Sequence, residues 1–146
     1  MKIIKPSIVL VKPQLPENIG MVARAMDNFG LNKLYIVNPR AGWPNNLAIK
    51  SSANSKKIIL NAKIYNNLDK ALESFNYVVA TSNRTRFLNK PSLSNMNRLF
   101  TNFPKTKKVA IVFGPENSGL SNEDLMLTDI IFTIDTSKSN QSLNLS

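Results

Sequence analysis

Histidine and cysteine are both missing from this chain of 146 residues. Their absence removes imidazole as a general base, thiolate as a nucleophile and the usual ligands of zinc. Chemistry therefore falls to Arg, Lys, Glu, Asp, Ser and Asn, or to a bound cofactor. Such residues stand beside glycines in three places: Asn18-Ile19-Gly20-Met21-Val22-Ala23-Arg24-Ala25-Met26-Asp27-Asn28-Phe29-Gly30, then Phe113-Gly114-Pro115-Glu116-Asn117-Ser118-Gly119-Leu120, then Ser142-Leu143-Asn144-Leu145. In the first, Arg24 is the one cation, and Asn28 shares its helical face one turn on. A guanidinium so placed can fork two hydrogen bonds to a phosphate or carboxylate. Its plainer role is a surface ion pair with Asp27 or Glu17. In the second, Glu116 can hydrogen-bond a hydroxyl or orient a cation, or the whole segment can be a tight turn with capping residues. The third says nothing alone. Thr81-Ser82-Asn83-Arg84 is a fourth polar turn of the same character.

Short apolar runs supply the strands these turns need. Ser7–Val11, Leu34–Val37, Tyr77–Thr81, Val109–Phe113 and Ile130–Ile134 are nearly continuous in apolar residues, as a parallel sheet covered on both faces requires. Helices are predicted between them. From Asn18, a plausible N-cap, the apolar residues Ile19, Val22, Ala23, Met26 and Phe29 follow helical spacing to a stop at Gly30. Leu68–Phe75 is a second amphipathic helix, and Ser121 is placed to cap a short third one with Asp124 three residues on. Residues 39–47 read as a loop, and 83–108 as polar, basic and weakly patterned. Strand–helix alternation predicts a doubly wound α/β fold with its binding sites at the carboxyl ends of the strands.

The net charge of +10 is unevenly spread. Residues 1–115 carry 18 of the 19 Lys and Arg against four acids, a net of +14, whereas residues 116–146 carry one Lys against five acids, a net of −4. The densest stretch holds Arg84, Arg86, Lys90, Arg98, Lys105, Lys107 and Lys108 without an acid among them. Such an excess suits a polyanion, since each neutralised phosphate releases counterions, although a solvated lysine-rich surface has the same composition. No apolar run approaches the roughly 20 residues that span a bilayer. Lys12 and Pro13 interrupt the first apolar stretch too soon for a signal peptide. A cytoplasmic location is the default expectation. Neither the Gly-x-Gly-x-x-Gly fingerprint nor a P-loop is present.

In order and spacing, the three segments resemble the signature motifs of the SpoU branch of the SPOUT superfamily, the knotted RNA ribose 2′-O-methyltransferases. Pro16-Glu17-Asn18-Ile19-Gly20, Val37-Asn38-Pro39-Arg40 and Ala80-Thr81-Ser82-Asn83-Arg84-Thr85-Arg86 narrow the likeness to the TrmJ-type tRNA methyltransferases. The resemblance covers essentially the whole chain. It implies a parallel-sheet α/β domain with a C-terminal trefoil knot, working as a homodimer on tRNA with S-adenosylmethionine as methyl donor and without a metal or a membrane. The acceptor implied is the 2′-hydroxyl of cytidine or uridine at the first nucleotide of the anticodon loop.

Residue by residue, the resemblance matches Thr81, Ser82 and Asn83 to the first cofactor turn and Gly114 to the second. Ile134 with Ser142, Leu143 and Asn144 matches the third. Arg24 matches the catalytic arginine that meets the partner subunit's pocket, and Asn18 and Glu116 match its supporting polar residues. Arg84, Arg86 and Lys90 are the expected RNA contacts. An arginine, whose guanidinium holds its proton firmly, is better suited to polarising the hydroxyl or clamping the adjacent phosphate than to abstracting a proton. The general-base description usual for the family is the rival. Family members continue past the third motif into one more helix, so residues 1–146 are expected to form one methyltransferase domain cut short of it, binding cofactor weakly or not at all. The alternative expectation is a catalytically silent RNA-binding or dimerising member of the family.

Overall fold

The computed structural model describes residues 5–82, 92–93 and 108–133. Seven strands are found in them: β1 (Ser7–Val11), β2 (Leu34–Val37), β3 (Lys63–Tyr65), β4 (Tyr77–Ser82), β5 (Ser92–Leu93), β6 (Val109–Phe113) and β7 (Ile130–Thr133). They form one sheet in the order β3-β2-β1-β6-β4-β7-β5. Every pairing is parallel. The described helices are α1 (Pro16–Asn28), α2 (Asn46–Ser51), α3 (Lys56–Leu60), α4 (Leu68–Leu72) and α5 (Asn122–Met126), with a 3₁₀ turn, Ala53–Ser55, between α2 and α3.

Alternate side chains of each central strand enter different cores. Val9 and Val11 of β1 join a cluster with Leu68, Ala71 and Leu72 of α4 and Leu125 of α5. Ile8 and Leu10 pack instead against Ile19, Val22, Ala23 and Met26 of α1, Ala48 of α2 and Ile58 and Ile59 of α3. A sheet buried on both faces needs apolar residues at consecutive positions, and all five residues of β1 are buried. The strand runs legible in the sequence are therefore the α/β sheet that was expected. The expected knot and last helix concern the segment from Ile134 onward, outside the described residues.

Three local expectations change. Asn18 does not cap α1: the helix starts at Pro16, with Leu15 in the cap position making no side-chain cap bond. Proline fits that first position because its missing N–H would have no helical partner there. Phe29 follows the apolar spacing yet is 81% exposed, since the helix turns aside before it. The ending itself is as expected at Gly30: Leu31 N–H donates to Met26 O at 2.8 Å and Gly30 N–H to Asp27 O at 3.1 Å. The second helix stops at Leu72, well short of Phe75, with Asn67 capping it through a 2.9 Å bond from Lys70 N–H. Ser121 and Asp124 form a reciprocal capping box at α5, as their spacing predicts.

Candidate functional site

The strand order gathers what the sequence scatters. β6, β4 and β7 are neighbours, with Ala80 opposite Val112, Thr81 opposite Phe132 and Ser82 opposite Thr133. Their carboxyl ends therefore lead side by side into Gly114, into Ser82 and toward Ile134. Thr81, Ser82 and Gly114 are half-buried. The Thr81 hydroxyl donates to Val112 O at 2.9 Å and ties β4 to β6. Asn83, Ile134, Ser142, Leu143 and Asn144, and the basic Arg84, Arg86 and Lys90, lie outside the described residues.

β1 flanks β6 on the other side, so the residues leaving β1 meet the turn leaving β6. Glu116 joins them. Its Oε1 accepts from Gln14 N–H at 2.9 Å, and its Oε2 accepts from Leu15 N–H at 3.1 Å and from Asn18 Nδ2 at 2.9 Å. Those backbone donors precede the helix and have no strand ladder to enter, so without this carboxylate they would need another acceptor. Burial pushes the Glu116 pKa up, but the bonds from Asn18, Gln14 and Leu15 outweigh it, and the carboxyl sits below its ordinary 4.5. Asn18 is 6% exposed and points its amide at Glu116. Both residues thus set where α1 begins relative to the β6 turn. Oε1 accepts one of these bonds and Oε2 two, so the first duty of the Glu116 carboxylate is to fasten the chain entering α1.

The glycines of the motifs have local duties too. A Cβ on Gly20 would collide with the Ser51 hydroxyl and lie 2.6 Å from Ala48 O and 2.7 Å from Ser52 N, so α1 rests directly on α2 there. A Cβ on Gly114 would run into the backbone of Gly119 and Leu120. The β6 turn closes on its own chain at that atom, and this closure by itself requires glycine at 114.

Arg24 differs from all of these. It is exposed on α1 with Asn28, on the face opposite Ile19, Val22 and Met26. Among the described residues it makes no ion pair. The plainer expectation of pairing with Asp27 is not met, because Asp27 Oδ2 accepts from Ser55 Oγ at 2.9 Å. A second arginine, just past β2, reaches the segment before α1. Arg40 Nη1 donates to Gln14 Oε1 at 3.1 Å, and Arg40 N–H donates to Pro13 O at 3.1 Å. The sequence pattern gives Gln14 no role, and gives Arg40 only a place in a family string. The signal available was the pair Pro13 and Pro16, which marks a short irregular segment whose intervening N–H groups need outside acceptors.

No group of three or more metal-ligating side chains is gathered among the described residues. What is gathered is a group of half-buried small residues, Thr81, Ser82 and Gly114, at two neighbouring strand ends, beside a helix start clamped by a carboxylate to which the exposed Arg40 is tied through Gln14. A sequence model described as the SpoU rRNA Methylase family matches residues 5–146. The tRNA (cytidine/uridine-2′-O-)-methyltransferase TrmJ of Pectobacterium atrosepticum is 40% identical over 140 residues, which are 94% of this chain and 58% of that protein. The tRNA (cytidine-2′-O-)-methyltransferase TrmJ of Methanocaldococcus jannaschii is 34% identical over 99% of this chain and 64% of its own length. The chain thus spans about three-fifths of these relatives. The crystal structure of TrmJ from Z. mobilis superposes with a TM-score of 0.89 at 38% identity, over 96% of this chain and 63% of that one. Motif order, strand order and these likenesses agree, and the chain belongs to the SpoU methylase family, among its TrmJ-type members.

Proposed function

We propose that residues 1–146 form the methyltransferase domain of a cytoplasmic, homodimeric enzyme that methylates a ribose 2′-hydroxyl of tRNA. Cytidine or uridine at the first nucleotide of the anticodon loop is the proposed acceptor. The single observation that carries the reading is the side-by-side exit of the β4, β6 and β7 carboxyl ends, which brings Thr81 and Ser82 next to Gly114. In a parallel α/β sheet this is where a small ligand is held by backbone groups and short polar side chains. S-adenosylmethionine fits that donor set: Thr81, Ser82 and Gly114 are small, half-buried and adjacent, and none is charged. They would hold it together with Asn83, Ile134, Ser142, Leu143 and Asn144. When bound, it supplies a methyl group activated on a sulfonium.

The chain's own residues then have to position and activate the acceptor. Arg24 is free of acidic partners among the described residues, so its guanidinium serves as a hydrogen-bond donor to the ribose oxygen or its neighbouring phosphate. Glu116 and Asn18 are positioning residues: through the start of α1 they set the helix that carries Arg24. Arg84, Arg86 and Lys90 are the proposed phosphate contacts that keep the RNA on the protein. The test is transfer of labelled methyl from S-adenosylmethionine to unmodified tRNA, by this domain and by the same domain joined to the last helix of a related enzyme, followed by mapping of the modified ribose. Label on an anticodon-loop 2′-oxygen is expected. RNA binding without any transfer would instead favour a silent RNA-binding or dimerising member of the family.

A further inference from the structure

Arg40 is exposed, sits just past the carboxyl end of β2 and uses one guanidinium N–H on Gln14. Its backbone is pinned as well. Arg40 N–H reaches Pro13 O, and Gly42 N–H reaches Pro39 O at 3.1 Å, so residues 39–42 form a turn fastened to the segment leaving β1. Gln14 is fixed in turn, its Nε2 donating to Lys12 O at 2.8 Å and its N–H to Glu116. The guanidinium is thus held by a chain of hydrogen bonds that ends on the carboxylate clamping the catalytic helix. Among the described residues it has no acidic partner, and the sole carboxylate in this network is already engaged by three other donors. Lys12, exposed on the same edge and held at a left-handed φ of 47°, adds a second cation.

We infer that Arg40, oriented by Gln14 and seconded by Lys12, forms a subsite for one phosphodiester of the RNA substrate, separate from the contact made by Arg24. Arg24 lies two turns into α1, roughly 12 Å along the helix from its start, so the two arginines serve different groups on the RNA. A guanidinium with one N–H anchored and four left over presents the flat fork that phosphate oxygens accept from two sides. Anchoring also lowers the entropy lost when the phosphate docks. The inference rests on RNA being the substrate, and its test separates the two ideas by measuring binding as well as transfer.

Arg40→Ala, Arg40→Lys and Gln14→Ala are compared with the parent protein for tRNA affinity across a salt series, cofactor affinity and melting temperature. Arg40→Ala is expected to weaken tRNA binding about tenfold and to reduce the salt slope by roughly 0.7–0.9, the loss of one phosphate contact. In turnover the KM for tRNA rises more than kcat falls. Arg40→Lys keeps the slope and loses part of the affinity, because a point charge lacks the fork. Gln14→Ala keeps the slope too, with a smaller loss. Cofactor affinity is unchanged in all three, which distinguishes an RNA phosphate from the carboxylate of the methyl donor. Unchanged tRNA affinity and slope in Arg40→Ala would overturn the inference. So would a joint fall in melting temperature and cofactor affinity, the mark of a purely structural tie. If the parent binds tRNA with this Arg40-dependent slope yet transfers no methyl, the subsite stands and the proposed activity falls.

Discussion

The outer face of α1 and the turn after β6 carry the two charged residues that the motifs single out, and they use them in opposite ways. Glu116 in the β6 turn is spent on the protein itself, with three donors on its two oxygens. Arg24 on α1 faces solvent and has no ion pair among the described residues. Motif membership does not separate them; their partners do. A charged side chain whose bonds are satisfied internally builds a site, and one left without an ion pair on an exposed helix face is available to whatever binds there. Substitution should divide them in the same way, one through activity and the other through stability.

The largest expected effect is on activity. Arg24→Ala should lower methyl transfer about a thousandfold or more, the scale of losing a donor to a developing charge. Its thermal stability should stay within about 0.5 kcal/mol, as for a surface change that breaks no contact. Arg24→Lys should fail as well, since one ammonium cannot replace a fork. Single-turnover assays with melting curves on the same samples check this, and near-normal transfer by Arg24→Ala would remove the assignment.

Next come the close contacts. Gly20→Ala must push α1 off Ala48 and Ser52, with backbone atoms too near to yield, and should destabilise the domain by about 1–3 kcal/mol. Denaturant titration measures it, and an unchanged midpoint would mean that the two helices separate freely. Glu116→Ala should cost a similar 1–3 kcal/mol, because it strands two backbone N–H groups and the Asn18 amide. Any fall in transfer should be far smaller than in Arg24→Ala and should follow the loss of stability, because the start of α1 is freed while the guanidinium is still present.

The comparison sharpens with pH. Glu116 has a folded pKa below its ordinary 4.5, so the unfolded chain takes up the proton first. Its stabilisation is complete above the unfolded value and is lost as the pH falls through the lower folded one. The melting temperature should therefore drop on acidification below about pH 5, and drop less steeply in Glu116→Gln. Parallel curves for the two proteins would show that the carboxylate is not the acid-labile tie. The smallest effect is Ser121→Ala, which removes half of the α5 capping box and should cost about 1 kcal/mol without altering transfer.

Much of this was legible in the residues. Five strands, the course of α1 and the caps at Gly30 and Ser121 follow from continuous apolar runs, helical spacing and cap chemistry, all of them local. The stretch from Asn46 to Tyr65 was not legible. Ser51-Ser52-Ala53-Asn54-Ser55 has the composition of a loop, yet it closes α2 and forms the 3₁₀ turn that leads into α3, and Ser51 and Ser52 lie where Gly20 comes close. Ser52 and Ser55 are buried there, their hydroxyls donating to Ile49 O and to Asp27. A short helix of weak propensity is stabilised by the surface it covers, which no local pattern reports.

The sequence by itself determined the sheet, the family and the residue types available for chemistry, because burial pattern and motif order are properties of the chain. Only the tertiary structure decided which motif residues are consumed and which are left over. Glu116 and Gln14 are 102 positions apart in the chain, and their meeting depends on β1 and β6 being neighbours in the sheet. Strand order is set by how the crossovers pack over both faces, a global balance of buried area that leaves no mark at Glu116 itself. The same holds for Arg40 and Gln14. Residues from two strand ends become one site only when the strands lie side by side.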